Sequence, residues 1–355
     1  MTFVIAAAGT GGHVLPALTI AGGLRERGVA AGDVLFFGGD RFEASSVPEA
    51  GYPFRAFRLT KLRRSLSPSN LAIPFVLRRT SRAMADAMRD ADAMVVIGMS
   101  GYVTVPAAMA ARRAGIPFVV HEQNAAPTLA ARLAARRARI TLLGFPGAAE
   151  RLPRSRVVGN PLRPALARFD RAALRSAARA RYDLPVDGPV LGVIGGSLGA
   201  QVLNEAVGPI ADSGVAAGIV HLTGPAAVGV PAMHRPPLPW TRLAYEAEME
   251  YFYAAVDAVV CRAGAMTVSE LAATATPSVL VPLERVGQLD NARVLEDAGG
   301  GVIVRQPDVA HLPSRVGQVL GSPERLAAMS AAARSTARVD ATARIVDHLI
   351  EVAGG

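Results

Sequence analysis

Four glycine-bearing turns hold most of the chemical potential of this chain. They are Gly9-Thr10-Gly11-Gly12-His13, Gly98-Met99-Ser100-Gly101-Tyr102, Gly195-Gly196-Ser197-Leu198-Gly199 and Arg262-Ala263-Gly264-Ala265-Met266-Thr267. Each follows a short apolar run, so each reads as a turn leading from a strand towards a helix. Glycine lets backbone N–H groups approach a ligand closely, and a helix N-terminus favours an anion. One such turn is compatible with a tight connection that binds nothing. Four across two α/β halves point to a nucleotide-type ligand. His13 is the first candidate for proton transfer, because imidazole titrates near neutral pH; it can equally cap the loop or bind a phosphate. Glu122 is a second candidate base, or a structural carboxylate bonded to loop N–H groups. His121 reads as a strand-end histidine satisfied by backbone, and Tyr102 as a lining or a packing residue.

Competing motifs are weaker. Gly195–Gly199 fits the G-x-S-x-G nucleophile elbow of hydrolases, but none of His221, His234, His311 and His348 sits in an obvious catalytic loop. The first turn lacks the Lys-Ser/Thr ending of a P-loop and is not G-x-G-x-x-G. Asp90-Ala91-Asp92 has the D-x-D form of a metal site, yet it lies at a helix end before a buried-looking strand and reads as a solvated turn. No His/Cys group has metal-ligand spacing. The expectation is chemistry with no metal and no cofactor.

The elements that position these turns are legible as alternating strands and helices. Candidate strands are Thr2–Ala7, Val34–Phe37, Phe54–Leu59, Ala93–Ile97, Phe118–His121 and Ile140–Leu143. Helical patterns at Pro16–Arg27, Arg41–Ala50, Ser69–Arg89, Val105–Ala114 and Pro127–Arg137 lie between most of them, with Pro16 suited to a helix start. Residues Pro146–Pro164, rich in Pro and Gly, read as a connection. The alternation restarts with strands at Val190–Ile194, Ile219–Leu222, Ala258–Cys261, Ser278–Val281 and Gly301–Val304. Helices are expected at Ala200–Ala211, Glu246–Ala255, Met266–Ala275 and Gln288–Ala298. Gly224–Pro239 reads as a loop and Ala327–Val352 as mostly helical. Such alternation implies parallel β-α-β units and doubly wound sheets. A length of 355 residues suggests two domains. They are placed at 1–160 and 161–335, followed by a C-terminal helix at 336–355 that packs back on the first.

Composition bounds the partners. Of 38 Lys/Arg and 29 Asp/Glu, residues 1–160 hold 21 basic and 10 acidic, a net +11, and the rest of the chain is net −2. Excess positive charge in one half suggests an anionic partner there, although an arginine bias (Lys61 is the only lysine) contributes to it. Aromatic residues are only 5% of the chain and Trp240 is the only tryptophan, so base-stacking platforms for nucleic acid are poorly supported. No apolar run reaches a bilayer's span, and Met1 leads straight into a strand-like run rather than a secretory leader. The single Cys261 suits a reducing compartment. Leu71, Ile73, Phe75, Val76 and Leu77, interrupted by Pro74, sit among Lys61, Arg63, Arg64, Arg78, Arg79 and Arg82. An apolar patch rimmed by cations suits an anionic membrane surface; an ordinary core helix face is the alternative.

The order and spacing of several motifs resemble the MurG family of bacterial transferases over essentially the whole chain. The markers are Gly9–His13 with Pro16-Ala17-Leu18, Gly101-Tyr102-Val103 with Pro106, His121-Glu122-Gln123-Asn124 and Gly159-Asn160-Pro161-Leu162-Arg163. The second half adds Gly195–Ala200, Cys261–Glu270, and Gln288 with Asn291-Ala292. The resemblance implies a glycosyltransferase-B architecture, two Rossmann-like doubly wound parallel-sheet domains around a cleft. It implies inverting transfer of N-acetylglucosamine from UDP-N-acetylglucosamine to an undecaprenyl-diphosphate-linked muramyl-pentapeptide, without an essential metal. It places the enzyme peripherally on the cytoplasmic face of the cell membrane. Donor contacts carry over onto Thr10, Gly11, Gly12, Asn124, Arg163, Ser197, Ala265, Met266, Thr267, Val268, Ser269, Glu270 and Gln288. Glu270 suits ribose hydroxyls, Ser197 and adjacent N–H groups suit the diphosphate, and Arg163 adds charge. The chain departs from the family pattern at Ala8, Ser100 and Gly287, in a shortened Pro282–Gln288 segment, and near Glu246, where a hydrophobic uracil neighbour is replaced. A transferase for another lipid or natural-product acceptor would share the donor half.

Overall fold

The computed structural model describes residues 1–59, 73–196, 198–225 and 238–354. Ser197 and, in the basic apolar segment, Lys61, Arg63, Arg64 and Leu71 therefore lie outside the described residues. The chain forms two compact units, residues 1–162 with 340–355, and residues 163–339.

In the first unit the strands are β1 (Thr2–Ala6), β2 (Val34–Gly38), β3 (Phe54–Ala56), β4 (Ala93–Gly98), β5 (Phe118–Glu122), β6 (Ile140–Leu143) and β7 (Ser155–Val157). They form one parallel sheet in the order β3-β2-β1-β4-β5-β6-β7. Strands β1, β2 and β5 are buried along their whole length, as strands covered by helices on both faces must be. Two apolar clusters cover the two faces, one containing Ile5, Ile20 and Phe36, the other Val4, Phe37 and Met84. Helix Ala341–Gly354, from the far end of the chain, seats Ile345, Val346 and Leu349 in the first cluster against helix Gly11–Glu26.

The second unit repeats the plan. Strands β8 (Val190–Ile194), β9 (Gly218–Leu222), β10 (Trp240–Leu243), β11 (Ala258–Cys261), β12 (Ser278–Leu280) and β13 (Gly301–Ile303) form a parallel sheet in the order β10-β9-β8-β11-β12-β13. In both sheets the order reverses beside the first strand, between β1 and β4 and between β8 and β11. That is the point where parallel sheets open a crevice for ligands at the strands' carboxyl ends. All four glycine turns follow these four strands.

Several elements differ from the sequence expectation. The first helix starts at Gly11, not at Pro16, so Gly11, Gly12 and His13 form its first turn and Pro16 lies in its second. Proline there cannot donate to the carbonyl of Gly12, and burial of Pro16 with Val14 and Ala17 holds the helix across it. Strand β7 falls inside the expected connection Pro146–Pro164, and strand β10, just after the expected loop Gly224–Pro239, was not anticipated. Helix Arg171–Arg181 was not anticipated. The C-terminal stretch divides into helices Pro323–Ser335 and Ala341–Gly354.

Candidate active site

In the first unit, the turn after β1 brings Gly9, Thr10, Gly11, Gly12 and His13 to the switch point. Thr10 is the helix N-cap but makes no side-chain capping bond. The N–H groups of His13 and Val14 both reach back to the Thr10 carbonyl, which leaves the Gly11 and Gly12 N–H groups pointing out of the helix start. The turn after β4 closes on the same place: a Cβ on Gly101 would lie 3.7 Å from His13 Nε2. Tyr102 packs beside Gly9, with its phenol pushed up by burial and by the nearby Glu43. Ser100, where the resemblance leads one to expect glycine, adopts a left-handed φ of 56°. Its hydroxyl donates to the His121 carbonyl at 2.8 Å, which ties this strained position to β5.

Glu122 ends β5 fully buried. One carboxylate oxygen accepts from the N–H and side-chain amide of Asn124, the other from the N–H and hydroxyl of Thr128, all at 2.9 Å. Four donors on one carboxylate leave it little capacity to take a proton from a ligand, and they fix the loop that presents Asn124. The buried His121 bonds through Nε2 to the Gly159 carbonyl at 3.0 Å, and burial lowers its pKa. Donation to a carbonyl makes Nε2 the protonated nitrogen of a neutral ring.

In the second unit, helix Ala265–Ala273 begins after β11 with Gly264 as an N-cap that has no side chain to offer. The first helical bond is from the Val268 N–H to the Gly264 carbonyl, so the Ala265, Met266 and Thr267 N–H groups face outward. Glu270 lies one turn on. Its Oε2 accepts from the Tyr253 hydroxyl at 2.9 Å, and among the described residues nothing donates to Oε1. Desolvation pushes the carboxyl up, opposed by the nearby Arg163 guanidinium and the Tyr253 hydroxyl. Arg163 bonds to the Ala247 carbonyl, which holds its charge near Glu270. Gln288 opens the next helix after Gly287 at φ 78°, and its side-chain carbonyl turns back to the Leu283 N–H at 2.9 Å. Its amide nitrogen remains to donate.

Other residues complete these arrangements. Glu246 is buried and committed inward, accepting from Tyr182 Oη at 2.7 Å, the Glu248 N–H at 2.8 Å and Arg181 at 3.2 Å. Sequence reasoning missed Tyr253, which orients Glu270, and the structural weight of Asn291, whose buried amide donates to the Ala263 carbonyl at 3.2 Å. It also missed Glu43, whose carboxylate bonds the Gly9 and Gly39 N–H groups. For Glu43 the available signal was its place at the second position of a helix following Gly38-Gly39-Asp40. Among the described residues no three His, Cys, Asp or Glu side chains cluster as a metal site.

Residues 3–142 match the glycosyltransferase family 28 N-terminal domain, and residues 190–345 match the family 28 C-terminal domain. The chain is 39% identical to the UDP-N-acetylglucosamine–N-acetylmuramyl-(pentapeptide) pyrophosphoryl-undecaprenol N-acetylglucosamine transferase of Acidothermus cellulolyticus, covering 99% of this chain and 98% of that one. The enzyme of the same name from Streptomyces coelicolor is also 39% identical, again over 99% and 98%. Among solved structures, Acinetobacter baumannii MurG superimposes with a TM-score of 0.77 at 27% identity, covering 99% of this chain and 100% of that one. The calicheamicin glycosyltransferase CalG4 superimposes at 0.68 with 17% identity over 100% and 98%, a likeness of fold alone.

Proposed function

From its membership of the MurG family, within glycosyltransferase family 28, we infer that the chain transfers N-acetylglucosamine from UDP-N-acetylglucosamine to the C4 hydroxyl of the muramyl sugar of lipid I, forming lipid II in peptidoglycan synthesis. The observation that carries this is the full-length 39% identity to relatives bearing that activity in their names. The site supports it. The second unit offers a carboxylate with one unused oxygen for the ribose hydroxyls. A run of outward N–H groups and Arg163 suit the diphosphate, and Gln288 suits the sugar. The first unit offers His13 beside open N–H groups.

The reaction forms a bond from the acceptor oxygen to the anomeric carbon and breaks the bond from that carbon to UDP. His13 takes the acceptor hydroxyl's proton as the oxygen attacks. The N–H groups of Ala265–Thr267 and the charge of Arg163 stabilise the negative charge on departing UDP. Glu122 acts by holding Asn124 rather than by accepting the proton. Transfer goes with inversion, with no metal and no cofactor. The test is incubation with labelled UDP-N-acetylglucosamine and short-chain lipid I, with and without EDTA. A labelled disaccharide lipid is expected at the same rate in both. No product from lipid I overturns the acceptor assignment. Loss of turnover on chelation, restored only by a divalent ion, overturns metal-free transfer.

Docking on an anionic membrane belongs to the same reading. No helix among the described residues is long and apolar enough to cross a membrane. Helix Ile73–Asp90 buries Ile73, Met84 and Met88 on one face. Phe75, 72% exposed, shares the opposite face with the exposed Arg78, Arg79 and Arg82, at helical spacings of three and four. Ile73 therefore belongs to the core rather than to the contact. Each cation near an anionic surface contributes about 1 kcal/mol. Wild-type protein is expected to sediment with phosphatidylglycerol vesicles more than with phosphatidylcholine vesicles, less so as salt rises, and Phe75→Ser is expected to weaken the salt-resistant part. Equal binding to both vesicle types, or by both proteins, would place the contact elsewhere.

A further inference from the structure

We propose that Glu43 is a positioning residue that sets the glycine turn carrying His13. This rests on the reading of His13 as the base. Glu43 is 0% exposed at the start of helix Phe42–Glu49. Its two oxygens are divided between two different loops: Oε2 accepts from the Gly9 N–H at 3.0 Å and Oε1 from the Gly39 N–H at 2.9 Å. A single carboxylate thus clamps the turn after β1 to the turn after β2.

The surroundings are built for this side chain. A Cβ on Gly38 would lie 2.6 Å from Glu43 Cγ and 3.0 Å from the Ala7 carbonyl, so the carboxylate reaches Gly9 only because residue 38 has no side chain. Gly9 sits at φ 120°, a conformation open to glycine. A charged acceptor on its N–H is a bond of the stronger class. Four residues later the chain reaches His13, whose ring lies against Gly101. A swing of the Gly9 peptide moves the start of helix Gly11–Glu26, and His13 with it.

Glu43 lies in the first unit and bonds to none of Glu270, Arg163 and the Ala265–Thr267 N–H groups, so the effect should fall mainly on turnover, with a smaller effect on the donor through Thr10, Gly11 and Gly12 in the same turn. Misplacing a reacting group by about 1 Å can cost about 100-fold in rate. The experiment compares wild type, Glu43→Gln, His13→Ala and the double variant for kcat, both KM values and thermal stabilisation by UDP. Glutamine keeps the shape but presents an amide N–H₂ to one of the two N–H groups. The expected result is a kcat about 10- to 100-fold lower in Glu43→Gln, with changes in donor KM and UDP stabilisation of no more than a fewfold. The double variant should be no slower than His13→Ala, because residues acting through one another are non-additive, whereas general loosening of the fold would multiply the two losses. Amide exchange at Gly9 and Gly39 should accelerate while β1 and β4 stay protected.

Wild-type kcat in Glu43→Gln with a slow His13→Ala overturns the role of Glu43 alone. A fast His13→Ala removes His13 as the base, and this proposal with it. Fully multiplicative losses also overturn it. If Glu43→Gln does not accumulate as folded protein, Glu43→Asp, which keeps the charge but is too short to span both N–H groups, is read in the same way.

Discussion

His13→Ala is expected to lower turnover by about 100- to 10,000-fold, the range for loss of a general base, while UDP affinity stays at the wild-type value. The separation of effects follows from placement. His13 sits in the first turn of helix Gly11–Glu26, in the first unit, against Gly101. Glu270, Arg163 and the helix start at Ala265 all belong to the second unit. A loss confined to kcat identifies a group that acts in the transition state; a rise in donor KM alone would mean that His13 helps hold the nucleotide. Turnover within a fewfold of wild type would remove His13 from the proton transfer. Glu122 would be a poor replacement, since four donors already occupy its carboxylate.

Glu270→Ala is expected to weaken UDP binding by about 1.5–3 kcal/mol, roughly 10- to 150-fold, through loss of charge-assisted bonds to the ribose hydroxyls. At UDP concentrations a fewfold above the wild-type Kd, UDP should raise the melting temperature of wild type and scarcely that of the variant, because stabilisation grows with the logarithm of ligand concentration over Kd. Alanine also strands the buried Tyr253 hydroxyl, which now donates to Glu270 Oε2 at 2.9 Å. Glu270→Gln separates the two effects. Its carbonyl can still serve Tyr253, but its amide cannot accept from a ribose hydroxyl. Glutamine should therefore restore stability and not affinity. Unchanged UDP affinity in a folded Glu270→Ala protein would show that the ribose is held elsewhere.

Central parallel strands were legible because they are short, apolar and bounded by glycine turns: Ile140–Leu143, Val190–Ile194 and Ala258–Cys261 have the expected bounds. The edge strands β3 and β13 were read as well, with longer bounds, but the edge strands β7 and β10 were not. Ser155–Val157 has three residues inside a Pro-rich stretch, and Trp240–Leu243 carries Thr241 and Arg242 and follows another. Both gain their strand character from a neighbour rather than from their own pattern. Helix Arg171–Arg181 hides its inward face because that face is arginine. Arg171 bonds the Tyr253, Val256 and Thr274 carbonyls, and Arg175 and Arg179 share Asp257. Spacing of hydrophobic residues cannot reveal a face that docks through guanidinium groups.

At the site, sequence could name the glycine turns and the acidic and basic residues between them, because those types are few and their spacing is specific. It could not tell which oxygen of which carboxylate remains unused. Glu122 and Glu270 look equivalent on paper. One is saturated by Asn124 and Thr128, which lie two and six residues away in its own loop. The other shares a single bond with Tyr253 on a different helix. The helix start at Gly11 was missed because Pro16 is the stronger local signal, and only the packing of Val14, Pro16 and Ala17 overrides it.

The last helix of the chain belongs to the first unit, and this has a consequence for the order in which the protein is made. Ile345, Val346 and Leu349 fill the cluster that includes Ile20 and Leu24, and Gly23 lets Thr342 and Val346 come so close that a Cβ there would lie 2.9 Å from the threonine methyl. Residues 1–162 leave the ribosome first, yet that apolar flank stays uncovered until residue 340 and beyond have been synthesised. At about 5–20 residues per second, the intervening second unit takes on the order of ten seconds or more to emerge. The nascent first unit must pass that interval with greasy side chains of helix Gly11–Glu26 open to water, to chaperones or to other chains. The helix that carries His13 in its first turn thus receives the packing on its far half only after the segment for the nucleotide half has already been translated.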